Sequence, residues 1–98
     1  MTPRLPRVVQ AAGGKVRIKN VRKNLVDGGT RCAGWYDAET RTITLDAKLP
    51  LPYRWKVLFH ELVHVALMDA GLDNGMKDAQ VERLCDAIAT ARHREKFG

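Results

Sequence analysis

One stretch, His60-Glu61-Leu62-Val63-His64, constrains this chain more than any other. Two histidines four residues apart stand one above the other on the same face of a helix. Their ring nitrogens can then converge on a single ion. Glu61 follows the first histidine and sits at the edge of that face, within reach of a water bound to such an ion. The neighbours Trp55, Val57, Leu58, Phe59, Val65, Ala66 and Leu67 are apolar, and a helix apolar nearly all round is a buried helix. Two imidazoles and a carboxylate need partners there, because burying them unpaired is costly. A metal ion satisfies all three. The competing reading is a pair of core histidines with ordinary hydrogen bonds.

At 98 residues the chain makes one domain, 1–98, with the proline-containing segment 1–6 as a loose arm. Cores of this size are small and are often helped by a bound metal. No apolar run reaches membrane-spanning length, and the N-terminus has no apolar signal segment. The expectation is a cytoplasmic protein with no membrane partner. Cys32 and Cys85 do not make a disulfide framework and read as reduced thiols. The net charge is +6, unevenly spread. Residues 1–26 hold Arg4, Arg7, Lys15, Arg17, Lys19, Arg22 and Lys23 and no acid, whereas the rest of the chain is nearly balanced. With no nucleic-acid motif and no interleaved aromatics, this quarter reads as a solvated basic face with weak or no nucleic-acid binding.

Hydrophobic patterning supplies the architecture. Arg7–Gln10 and Lys15–Val21 read as strands around a Gly13-Gly14 turn. Thr30–Tyr36 and Arg41–Asp46 read as a second hairpin, with Ile43 and Leu45 facing the core. A helix runs from Pro52 to Ala70, with proline in its first turn and Gly71 as its stop. A second helix runs from Met76 to Arg94, with a core stripe of Val81, Leu84, Cys85, Ile88 and Ala91. Strands followed by helices point to an α+β fold, a small antiparallel sheet of hairpins followed by two packed helices.

An open zinc site takes three protein ligands and a water. The second helix offers Glu82, Asp86, Cys85 and His93 for the third. Glu82 and Asp86 lie four apart at the edge of the helix–helix contact. One can bind the ion while the other holds a histidine ring by its free nitrogen. This reading makes His60, His64 and Glu82 the metal ligands and Asp86 the group that orients His60. His93 lies eleven residues beyond Glu82, about 16 Å along a helix, so both cannot serve one ion; it sits in a basic, exposed tail. Cys85 points along the core stripe and is set aside.

H-E-x-x-H on a helix is the pattern of zinc peptidases. With Glu82-x-x-x-Asp86 on the next helix, it resembles the gluzincin group. Together with Gly34-Trp35-Tyr36-Asp37, Thr42–Leu45, Leu58–Leu67 and Val81–Leu84, it is similar to the ImmA/IrrE-like metallopeptidases and the small H-E-x-x-H proteins of phages and prophages. The stretch between His64 and Glu82 leaves room for only one tight loop, which is short for a gluzincin. The resemblance implies a Zn2+ cofactor and cleavage of a protein or peptide substrate, such as a regulatory protein of a mobile element. Glu61 would be the general base. Thr42, Ile43, Thr44 and Leu45, if they form a sheet edge, can pair with an extended substrate. Tyr36 is a candidate donor to the oxyanion; Tyr53, about 10 Å before His60 on one helix, is set aside. A second reading keeps the fold and the ion but makes the protein a non-catalytic binding or regulatory module for DNA or an acidic protein. Four protein ligands on the zinc would mark it. The oligomeric state is not legible in the sequence.

Overall fold

The computed structural model describes residues 2–97. Two hairpins build its main sheet. Strands β1 (Val8–Ala11) and β2 (Gly14–Val21) pair antiparallel, and so do β5 (Gly34–Asp37) and β6 (Thr42–Asp46). The hairpins join through β2 and β6, which run parallel from Arg17 beside Thr42 to Val21 beside Asp46. The order is β1-β2-β6-β5. The fold is α+β, with a mixed sheet rather than a wholly antiparallel one. The chain enters β5 at the far edge and returns into the gap beside β2, so β6 arrives parallel to it. That arrangement puts Val16, Ile18, Ile43 and Leu45, all buried, on one face. Lys15, Arg17 and Lys19 alternate with the buried residues of β2 and stay exposed.

Between the hairpins, β3 (Leu25–Asp27) and β4 (Thr30–Cys32) form a separate two-stranded ribbon. The arm expected to run unbroken from Thr30 to Tyr36 is therefore divided at Ala33. Its first half pairs with β3 and its second half with β6. Gly34 explains why the second half must come so close. A Cβ there would sit 2.7 Å from the Thr44 carbonyl oxygen and 3.1 Å from a Val57 methyl.

This topology overturns one expectation about the site. Strand β6 has β2 on one side and β5 on the other. Thr42, Ile43, Thr44 and Leu45 consequently have no free backbone edge to offer a substrate. The edges of the main sheet are β1 and β5.

Helix α1 (Leu51–Asp69) crosses the inner face and presses Trp55, Leu58, Phe59 and Val65 onto it. Pro52 lies in its first turn, and the Leu72 N–H closes its end on the Leu67 carbonyl at 2.9 Å. A short 3-10 turn, Asp73–Gly75, leads into α2 (Asp78–Phe97). Helix α2 packs on α1 through Val81, Cys85 and Ala89. Ile88 and Ala91, expected in that stripe, face outward, because the buried line follows the four-residue ridge 81, 85, 89. The segment expected to be a loose arm is held against α1. The Trp55 indole N–H donates to the Pro3 carbonyl at 2.8 Å, and Leu5 packs on the core. Met1 lies outside the described residues. No helix among them is long and apolar enough to cross a membrane.

One polar cluster ties the three ends together. Arg41, at a left-handed φ of 49°, closes the β5–β6 turn. Its guanidinium donates to the Gly14 and Lys15 carbonyls of the first hairpin, each at 3.2 Å. It also grips Asp69, at the end of α1, through two bonds of 2.8 and 3.1 Å. The Gly13 amide donates to the same carboxylate at 2.9 Å. The Arg41 bonds, helped by the Gly13 amide, hold the Asp69 carboxyl down at about 2.

Two outcomes test this account. Asp69→Asn keeps the shape and loses the charge, so it melts below wild type at neutral pH. The carboxyl is depressed in the fold, so its contribution is complete above its ordinary value of 3.8 and fades as pH falls towards 2. Melting curves of both proteins should therefore converge over that window, and a gap indifferent to pH would contradict the assignment. Gly34→Ala forces β5 off β6 and should cost about 1–3 kcal/mol, or roughly 4–8 °C of Tm for each kcal/mol in a domain this small.

Candidate metal centre

Helix α1 lies between the sheet and α2, and its α2 side carries His60, His64 and Leu67. Leu67 packs on Val81 and Cys85 and thereby sets how far along α2 the histidines look. Glu82, next to Val81, lands between the two rings. Its Oε1 lies 2.8 Å from His64 Nε2 and its Oε2 lies 3.2 Å from His60 Nε2. The ring centroids are 5.1 Å apart. The imidazoles are about four-fifths buried, with side-chain exposures of 21% and 22%, whereas Glu82 is 60% exposed. The carboxylate therefore reaches in from the solvent side. Cys85, three residues further along α2, is fully buried. Its sulfur and one ring nitrogen from each histidine lie within 4.8 Å of one another.

The electrostatics lean one way. Burial, assisted by the charge of Glu82, pushes the Glu61 carboxyl up to about 7. Burial also pushes the Cys85 thiol up to about 11, with Glu82 and Glu61 adding to the effect. Glu82 and Cys85 thus flank the two imidazoles with Glu61 nearby, and Glu61 and Cys85 resist ionisation. A divalent cation reverses that resistance, since a metal favours the deprotonated form of each group near it. The donors are imidazole nitrogen, carboxylate oxygen and sulfur, a set that fits zinc.

Glu61 does not join the cluster around Glu82. It lines an adjoining cavity of about 250 Å³, together with His60, Asp86, Tyr53, Lys56 and Ala33. Asp86 shares the wall with His60, but the ring's recorded hydrogen bond goes to Glu82. Lys56 is a residue that reading the sequence missed, and Tyr53 one that it set aside. Their signal was present, because positions 53, 56 and 60 fall on one helical face. Straight-line rise along the helix axis ignores how far a phenol or a lysine stem extends from it. Tyr36, one candidate for the donor from sequence, is not in that wall and packs against the core instead.

His93 belongs elsewhere. Its Nε2–H donates to the Pro52 carbonyl at 2.8 Å, and its ring lies 4.8 Å from that of Phe97. Nearby, Lys96 sits over Trp55 at 4.6 Å and Arg92 over Phe59 at 5.3 Å. The basic end of α2 is thus laid over the start of α1.

No protein-family model, curated protein or solved structure matches this chain.

The position of His93 gives a discriminating outcome. His93→Ala removes one hydrogen bond, worth about 1 kcal/mol, and a ring contact. It should lower Tm while leaving a zinc titration of the protein unchanged. A loss of zinc affinity would place His93 among the ligands.

Proposed function

We propose that the protein is a zinc-dependent metallopeptidase, with His60, His64 and Glu82 as metal ligands and Glu61 as general base. The observation that carries this reading is the single Glu82 carboxylate spanning both histidine Nε2 atoms, next to a second carboxylate turned into a cavity. When bound, zinc would lower the pKa of a water towards neutrality and polarise a scissile carbonyl.

The chain's own residues account for the rest. Glu61, in the wall of the cavity beside His60, is the carboxylate placed to accept a proton from the attacking water and pass it to the leaving amine. Tyr53 and Lys56, in the same wall, can donate to the oxygen on which negative charge develops. Strand β5 is an edge of the main sheet. It follows directly on Ala33, which lines the cavity. An extended peptide paired along Gly34–Asp37 would therefore run towards Glu61, which makes a protein or peptide the substrate class. A regulatory protein of a mobile element fits the motif pattern. Two unpaired cysteines suit a cytoplasmic setting. A non-catalytic zinc module is the second reading, and Cys85 beside the histidines favours it.

Three variants test the roles. Wild type should bind one zinc per chain. Free zinc at a hundred times Kd stabilises a fold by about 2.7 kcal/mol, here a rise of roughly 10–20 °C in Tm. Glu82→Ala should lose most of that rise. Glu61→Gln should keep zinc and stability but lose hydrolysis of denatured casein by about 10²–10⁴-fold. With Asp86 taken to orient His60 from the shared cavity wall, Asp86→Ala should weaken zinc by about 10–100-fold. Loss of zinc from Glu61→Gln would make Glu61 a ligand and end its role as base. Hydrolysis unaffected by Glu61→Gln would end the peptidase reading.

A further inference from the structure

We propose that Cys85 is a fourth metal ligand, whose thiolate closes the ion from the buried side and keeps the site latent until water displaces it. The inference rests on the reading above that His60, His64 and Glu82 hold zinc.

The geometry comes first. The Cys85 sulfur and a ring nitrogen of each histidine lie within 4.8 Å of one another. A tetrahedral zinc with bonds of about 2.0–2.1 Å to nitrogen and 2.3 Å to sulfur sets neighbouring ligand atoms about 3.5 Å apart. Side-chain movements of about 1 Å would close the difference. Glu82 and Cys85 are three apart on α2, so they are neighbours on one helical face. Glu82 is 60% exposed and Cys85 fully buried. Glu82 meets the same two rings at Nε2, 2.8 and 3.2 Å away, so α1 and α2 each contribute two donors.

Packing alone does not explain the thiol. Cys85 lies in a line with Val81 and Ala89, and a buried cysteine ordinarily behaves as a small inert hydrophobe. Here the sulfur has the aliphatic carbons of Leu67 and Val81 on one flank and a ring nitrogen from each of two histidines within 4.8 Å. Thiolate and imidazole are ligands that select zinc. On binding, the S–H bond breaks, the metal–sulfur bond forms, and the proton leaves to solvent.

The consequence for activity follows from coordination number. Four protein ligands make a closed site, whereas catalysis needs an open position. With the thiolate in place, Glu61 has no activated water to deprotonate. Opening would require the metal–sulfur bond to break as water takes its place, solvent returning a proton to the thiolate, so that the entering water keeps the proton that Glu61 accepts. Glu82, His60 and His64 hold the ion throughout.

X-ray absorption at the zinc edge of the wild-type zinc protein tests the idea without a variant. The expected result is one sulfur at about 2.3 Å beside nitrogen and oxygen at about 2.0–2.2 Å. The cobalt-substituted protein should show a sulfur-to-cobalt charge-transfer band in the near ultraviolet. That band should be lost in Cys85→Ala and kept in Glu61→Gln. Cys85→Ala should also cleave denatured casein faster than wild type. A bound metal with only nitrogen and oxygen neighbours would overturn the role of Cys85 and leave the His60–His64–Glu82 site standing. A wild-type protein that takes up neither zinc nor cobalt would overturn both. A sulfur shell with no gain of hydrolysis in Cys85→Ala would overturn the latency.

Discussion

The packing of Leu67 against Val81 and Cys85 governs what this molecule can do. It sets how far along α2 the histidine face of α1 looks. A slip of one residue in that contact would turn Glu82 about 100° around its helix axis and carry its carboxylate away from both rings. The contact is apolar and small, and the groups it aligns are polar and costly to bury. Stability and chemistry therefore pull on the same few residues. The buried ridge 81, 85, 89 satisfies the first, and Glu82, beside it, serves the second.

The sheet contributes by fixing α1. Its inner face offers Val16, Ile18, Ile43 and Leu45 to Trp55, Leu58, Phe59 and Val65. That leaves the opposite side of the helix for α2. The Arg41–Asp69 pair then locks the far end of α1 to the turns of both hairpins. His93, Arg92 and Lys96 hold the near end from α2. The helix that carries the histidines is thus anchored at both ends, as a preorganised site requires.

The cavity beside Glu61 and the cluster around Glu82 divide the site into two functions. One gathers nitrogen, oxygen and sulfur donors between two helices. The other opens to solvent where β5 begins, with a tyrosine, a lysine and a raised carboxyl in its wall. His60 belongs to both. In the proposed reading, that shared ring is where an ion would meet a peptide.

Much of this was legible in the residues. The four-residue spacing of His60 and His64, the proline and glycine bounding α1, and Glu82 and Asp86 on the second helix are local codes. A helix of fixed pitch converts such spacing directly into a common face. The division of 30–36 into two strands, the parallel join of β2 and β6, the interior place of Thr42–Leu45 and the approach of Cys85 to the histidines were not legible. Each depends on which partner a segment meets across a long stretch of chain. Alternation gives a strand its two faces but not its neighbours, and a core stripe gives a helix its buried side but not its rotation to within one residue. The sequence by itself determined which side chains share a face. The tertiary structure decided which faces meet, because that is set by the shapes packed between them.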